Sequence, residues 1–345
     1  MAARESALTS VAQLQAWSAD PAAPACCSPL GSRSWLLVDA TGAFAAQDLP
    51  RVTSWLTALA VPSIAVGGTG VAFGAGWAAA CDVAAADLAA ADAMVAGIER
   101  APLAAAVLVQ TLRAAEGLPL DAALHLESLA YSTLQAGPEF ARWLAGYRRL
   151  GRRPPSPASG PAVELARDGA RLHLRLNRAV SHNAMTLEMR DALCEAFELV
   201  LADEAIESVT LDAAGKCFCT GGDLAEFGTA PDPVTAHLVR RLALPGRLLA
   251  ACAARCEVRV HGACIGSGIE FPAFAGRIVA RRDAWFQLPE LRYGLLPGAG
   301  GTVSISRRIG RQRATWMMLT GRRIDACTAL AWGLVDAIDD GPPSR

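Results

Sequence analysis

Apolar positions along the chain follow three rhythms, and each predicts a kind of element. Trp35-Leu-Leu-Val-Asp39 and Ser63-Ile-Ala-Val66 are short unbroken apolar runs bounded by turn residues, which predicts buried strands. From about 92 to 147 the apolar residues recur at helical spacing. Pro102 stands near the start of one of these helices, and Gly117-Leu-Pro119 parts it from the next. In the second half, strand-like runs alternate with glycine-rich turns at Phe218-Cys-Thr-Gly-Gly-Asp223, His261-Gly-Ala-Cys-Ile-Gly-Ser-Gly-Ile-Glu270 and Pro297-Gly-Ala-Gly-Gly-Thr302. Gly151-Arg-Arg-Pro-Pro-Ser-Pro-Ala-Ser-Gly-Pro161 has four prolines with glycine and serine, which form neither helix nor central strand, so it predicts a linker.

These breaks divide the chain. Residues 1–33, with Pro21, Pro24 and Pro29 among small residues, are expected to be a poorly ordered leader. Residues 34–150 form a short α/β unit with a helical segment, 151–161 the linker, and 162–345 the main α/β core. A length of 345 residues fits two units.

The glycine turns are where chemistry is expected. Glycine lets backbone N–H groups approach a ligand closely, and two such turns can aim two donors at one developing negative oxygen. Glu270 closes the second turn, and Glu290 follows at Pro289-Glu290. The apolar neighbours Ile269, Phe271, Pro272, Ala273 and Phe274 predict that Glu270 is buried. Two carboxylates beside a stabilised oxyanion point to acid–base chemistry.

Four segments, in this order, resemble the crotonase (enoyl-CoA hydratase/isomerase) superfamily over residues 163–338. Ser181-His-Asn-Ala-Met185 is similar to its adenine-binding segment, and Phe218–Asp223 to its first oxyanion loop. Ile265–Glu270 is similar to the second oxyanion loop, and Leu288–Thr302 to the segment with a second glutamate. The resemblance implies an α/β fold with a ββα spiral core. It implies an oxyanion hole from the backbone N–H groups of Gly222 and Ser267, with Glu270 and Glu290 as catalytic acid and base. Ser181, His182, Ala184, Thr220 and Asp223 are implied to bind CoA. The implied activity is hydration or dehydration of an acyl thioester, a lyase reaction of fatty acid metabolism. Isomerisation, C–C or thioester hydrolysis, and non-catalytic acyl-CoA binding are the alternatives. The partner is acyl-CoA or an acyl-carrier thioester, assembly is expected as a homotrimer or hexamer, and no cofactor is expected.

Two departures from the family pattern matter. Pro272 is tolerated only in a first helical turn, and the lysine that relatives place near the CoA phosphates is replaced by Ala225-Glu226. Arg178, Arg113 or Arg142 are candidates to supply the missing cation.

The two halves also resemble each other. Gly70–Ala78 aligns without a gap with Gly262–Glu270, putting Ala78 where the second copy has Glu270. The N-terminal unit is therefore expected to be a degenerate crotonase-like copy, and residues 92–147 resemble the family's terminal helices. They are expected to cover the acyl side of the C-terminal site.

Composition narrows the setting. A net charge of −1 gives no reason to expect nucleic acid or an acidic membrane surface. No long apolar span or basic-then-apolar leader is present, and a cytoplasmic location is expected. The ten cysteines lack paired C-x-x-C knuckles and read as reduced, small buried hydrophobes rather than metal ligands.

Overall fold

The computed structural model describes residues 7–20, 22–23, 27–31, 33–67, 76–149 and 160–339. The first part is β1 (Leu8–Thr9), α1 (Val11–Ala19), β2 (Leu36–Asp39), α2 (Leu49–Ala58), β3 (Ser63–Val66), a 3-10 turn (Gly76–Ala80) and β4 (Val83–Ala85). The strands form a sheet in the order β1-β2-β3-β4, with every pairing parallel. Both faces are buried, which is why β2 and β3 read as continuous apolar runs. Leu37, Ile64, Val66, Val83 and Ala85 face the central core. Leu36, Val38, Ala65 and Ala84 face a smaller cluster with Leu14 of α1 and Val52, Trp55 and Leu56 of α2.

Residues 8–19 differ from the expected disordered leader. Leu8 and Thr9 pair with Leu37 and Val38. Ser10 and Gln13 close a reciprocal capping box that starts α1, and Leu14 is fully buried. The Ser-x-x-Gln capping box satisfies two backbone N–H groups and outweighs the proline-rich composition that follows it. The segments 68–75 and 151–159 lie outside the described residues. Most of the turn matched to Gly262–Glu270, and most of the expected linker, fall there.

Four helices follow β4: α3 (Leu88–Arg100), α4 (Pro102–Ala115), α5 (Leu120–Gln135) and α6 (Pro138–Arg149). Pro102 starts α4 at a position where its missing N–H costs nothing. The turn at the start of α4 is held by a carboxylate from α6, since Glu139 accepts from Leu103 N and Ala104 N at 2.8 Å each.

The C-terminal part begins with β5 (Val163–Asp168), β6 (Arg171–Leu176), α7 (Leu187–Ala202), β7 (Ser208–Ala213), α8 (Pro233–Leu242) and α9 (Pro245–Ala251). It continues with β8 (Cys256–Val260), β9 (Ala263–Ile265), α10 (Ser267–Glu270), β10 (Arg277–Arg281) and β11 (Trp285–Gln287). It ends with α11 (Gly301–Ile309), α12 (Arg311–Thr320), β12 (Ile324–Asp325), α13 (Ala326–Trp332) and β13 (Ala337–Asp339). One sheet has the order β13-β10-β8-β7-β6-β5 and a smaller one β12-β11-β9. Only β5–β6 in the first and β11–β12 in the second are antiparallel. In β6 and β7 alternate residues point inward: Leu172, Leu174 and Leu176, then Val209, Leu211 and Ala213.

The two parts are packed as one body. The largest hydrophobic cluster runs from Leu37 and Ile64 through α3 and α4 to Ile305, Met317 and Val335. Polar contacts cross as well: Gln312 Nε2 donates to Ala78 O at 2.9 Å and Arg311 Nη2 to Ala79 O at 2.9 Å. The apolar side of α12 is covered within the chain. Ile309, Met317 and Leu319 are buried within the chain against α3, α4 and β4.

Candidate active site

Three loops are pinned side by side by backbone hydrogen bonds. Met185 N donates to Gly221 O at 2.8 Å and Asp223 N to Met185 O at 3.1 Å, so the 181–185 turn borders the first glycine loop. Ile265 N donates to Cys219 O at 3.0 Å and Cys219 N to Ala263 O at 3.2 Å, which aligns the two glycine loops. Gly266 N donates to Gln287 O at 2.9 Å, tying the second loop to the strand that leads to Glu290. Among the described residues the N–H groups of Gly222 and Ser267 donate to nothing. Both end the loops just aligned, and Ser267 opens α10.

Gly266 is the point of convergence. Its backbone (φ 52°, ψ −124°) is one that side chains rarely permit. A Cβ placed there would lie 2.6 Å from Glu290 Oε1, 3.7 Å from Glu270 Oε1 and 3.8 Å from Gly221 Cα. Both carboxylates and the first glycine loop therefore meet at one spot. Glu270 is held by Ala299 N and Gly301 N, which donate to its Oε2 at 2.8 and 3.0 Å. Ser304 Oγ donates to the Glu270 carbonyl at 2.7 Å, fixing the backbone beneath it. The Oε2 of Glu290 is buried and has no hydrogen-bond partner.

Electrostatics follow from that burial. Burial first, then the charges of Glu290 and Glu127, push the Glu270 carboxyl well above its ordinary 4.5. Burial, with the charge of Glu127 adding to it, pushes Glu290 up to about 8. Two buried carboxyls facing each other do not both ionise near neutrality, so the pair holds a proton. Such a pair can take a proton from one atom and give one to another.

The turn matched to adenine binding is built around a residue that sequence reasoning passed over. Asn183 is fully buried: its Oδ1 accepts from Arg178 N at 2.8 Å and its Nδ2 donates to Ala214 O at 2.8 Å and Cys217 O at 3.1 Å. That anchor holds His182 and Asn183 in left-handed backbone, φ 55° and 51°. Thr220 N donates to His182 O at 3.2 Å, while the His182 side chain is exposed. Ser181 Oγ donates to Arg178 O at 3.1 Å, Ala184 N to Ser181 O at 3.1 Å, and Asp223 accepts from Ala225 N at 2.9 Å. The five residues matched to CoA binding thus line one continuous turn-and-loop surface beside Gly222. His261 is buried and its Nε2 lies 3.0 Å from Gly215 O, a packing role.

The candidate phosphate cations fare differently. Arg178 pairs with Glu188, and Arg113 with the buried Asp82. Arg148 of α6, which sequence reasoning did not single out, lines a cavity of about 330 Å³ with Leu144, Tyr147, Leu224, Ala225 and Phe227. It stands beside the position of the missing lysine.

Pro272 shortens the helix that carries Glu270. α10 ends at Glu270, and Pro272–Phe274 continues as a 3-10 turn with Pro272 in its first position. The helices 88–149 reach this site directly. Glu127 of α5 accepts from Gly300 N at 2.7 Å, Thr302 N at 2.9 Å and Thr302 Oγ1 at 2.6 Å. Tyr131 packs against Gly298, where a Cβ would lie 2.4 Å from its ring, and Arg240 of α8 covers the other part of the ring at 4.5 Å. Trp143 of α6 packs at a tilt 4.8 Å from Tyr293 and edge-on 5.9 Å from Phe227, whose ring covers Gly222. One signal for Glu127 was legible: it stands on the apolar stripe of α5 with Leu124, Ala130 and Leu134, where a charge is out of place unless paired.

The α/β spiral thus brings two buried carboxyls and two unpaired backbone donors to one place. The sequence model of the family described as Enoyl-CoA hydratase/isomerase matches residues 169–341. An Arabidopsis thaliana protein named as mitochondrial enoyl-CoA hydratase 2 is 32% identical over 49% of this chain and 56% of its own length. A Bacillus subtilis protein named as an enoyl-CoA hydratase/isomerase is 30% identical over 53% of this chain and 72% of its own. A 1,2-epoxyphenylacetyl-CoA isomerase of Escherichia coli is 33% identical over 48% and 66%. A solved enoyl-CoA hydratase of Mycobacterium smegmatis is 34% identical, over 52% of this chain and 70% of that one, with a TM-score of 0.49. The chain spans between 56% and 72% of these curated relatives. It belongs to the enoyl-CoA hydratase/isomerase family, the crotonase superfamily, and has its α/β fold.

Proposed function

We propose that the chain is a hydratase-like enzyme that adds or removes water across the C2–C3 bond of an acyl thioester. The convergence of Glu270, Glu290 and the first glycine loop on Gly266 carries this reading. The thioester carbonyl accepts from Gly222 N and Ser267 N, where each donor is worth about 2.7–4 kcal/mol as negative charge builds on oxygen. A water held between the two carboxyls attacks C3. One carboxylate takes its proton, and the other carboxylic acid delivers a proton to C2, so water is added with no net proton change. The upward shifts of both carboxyls support the pair keeping a proton to deliver near neutrality.

The thioester's nucleotide arm runs over the 181–185 turn, with Arg148 supplying a cation to phosphate in place of the missing lysine. The reaction needs no metal or redox group. Purified protein is tested against crotonyl-, aryl- and cyclic enoyl-CoA, following loss of the enoyl absorbance. Glu270→Gln and Glu290→Gln should each lower turnover by about a hundredfold or more while thioester affinity holds. Wild-type turnover in either variant removes that residue from the mechanism.

A further inference from the structure

The N-terminus of α11 is shared between two carboxylates from opposite ends of the sequence. Its successive N–H groups alternate: Ala299 and Gly301 donate to Glu270, whereas Gly300 and Thr302 donate to Glu127. Glu127 has both oxygens occupied by three donors. Glu270 has only Oε2 occupied, and the buried Oε2 of Glu290 has no partner. Negative charge is best solvated on Glu127, the one member of the three that does not reach Gly266.

We propose that Glu127 is a positioning residue, supplied by the N-terminal part of the chain, whose ionised carboxylate stands behind the Glu270/Glu290 pair. It orients the turn that grips Glu270, and by like-charge repulsion it makes the pair keep its proton. The charged and titratable groups facing this set are Tyr131 on α5, Arg240 on α8, the Cys219 thiol on the first glycine loop and Tyr293, three residues after Glu290. Burial is the main force raising Glu127 itself, to about 7, and its three donors oppose it. This rests on the acid–base reading of the site, but its test does not require turnover.

The protonated carboxyl C=O bands are followed across pH by infrared difference spectroscopy, assigned with E270Q and E290Q. E127Q should lower the protonation midpoint of the pair by about one pH unit or more, because a nearby like charge is gone. E127D, which keeps the charge, should leave the midpoint close to wild type, although the shorter side chain weakens the cap. An unchanged midpoint in folded E127Q overturns the inference, since a purely structural cap would not hold the pair's proton. If E127Q does not fold, the wild-type Glu270 band decides: it should fade in two steps, one coinciding with ionisation of Glu127, and a single independent step overturns it. A shifted midpoint without turnover on any thioester would sink the proposed function alone. Turnover with an unmoved midpoint would sink only this inference.

Discussion

Gly266→Ala tests the geometry of the site more directly than removing a carboxylate does. The backbone at φ 52°, ψ −124° is open to glycine and strained for alanine, which costs about 1–3 kcal/mol. The new methyl would also stand 2.6 Å from Glu290 Oε1, so the carboxylate must retreat by most of an ångström. Glu290 is buried, and its retreat is resisted by the packed surroundings. A misplacement of that size at a reacting group costs on the order of a hundredfold in rate. Scanning calorimetry should show Tm lower by about 1–4 °C, and kcat on the best enoyl thioester should fall about a hundredfold with KM little changed. Gly146→Ala is the control: it lies in α6, and its Cβ would meet nothing within 4 Å. That change should stabilise by up to about 1 kcal/mol. Wild-type Tm and kcat in Gly266→Ala would refute the convergence of the two carboxylates on this glycine.

Stability should fall as pH rises, against the usual acid-labile trend. Glu127, raised to about 7, and Glu290, raised to about 8, bind protons more tightly folded than unfolded, where both lie near 4.5. Their contribution is complete below pH 4.5 and is lost as pH climbs through 7 and 8. Tm measured from about pH 5 to 9 should decline, less steeply in E290Q, and equal slopes in the two proteins would be the contrary result. Arg113→Ala strips the buried Asp82 of its two-pronged partner and leaves Arg311 at 3.4 Å. Urea unfolding should show a loss of about 3–5 kcal/mol, and a loss below about 1 would mean the pair is not holding the N-terminal sheet to α4. Assembly, expected as a trimer, now rests on α8, where Val234, Leu238 and Leu242 form an apolar stripe that is 69%, 55% and 77% exposed. Light scattering at micromolar protein should give a mass above one chain, reduced by Leu238→Glu, and a wild-type mass of 35.9 kDa would refute it.

The strands and helices were legible because burial on one or both faces writes directly into the spacing of apolar residues. β2 and β3 stood out as apolar runs, and the helices from 88 to 149 as a 3.6-residue rhythm broken at Pro102 and Pro119. The glycine loops were legible for a different reason: close backbone approach excludes every other residue, so Gly266 marks the site even before its neighbours are known. What the spacing could not carry was partnership across the chain. Asn183 looks like any turn residue until its three hydrogen bonds are seen, and Glu127 looks like a flaw in an apolar stripe. A buried carboxylate on a helix demands donors, but which donors depends on where α5 lands. It lands on α11, across more than 170 positions of sequence, and the bonds it forms there connect the N-terminal helices to the proton chemistry of the C-terminal loops. The resemblance of residues 92–147 to terminal helices then has a physical content. A helix that supplies Glu127, Tyr131 and the packing for Arg240 is part of the site, and a fragment starting after residue 160 would expose Gly300 N, Thr302 N and the apolar side of α12 together. Such a fragment should fail to accumulate as a folded monomer, and a soluble, fully active fragment would refute the dependence.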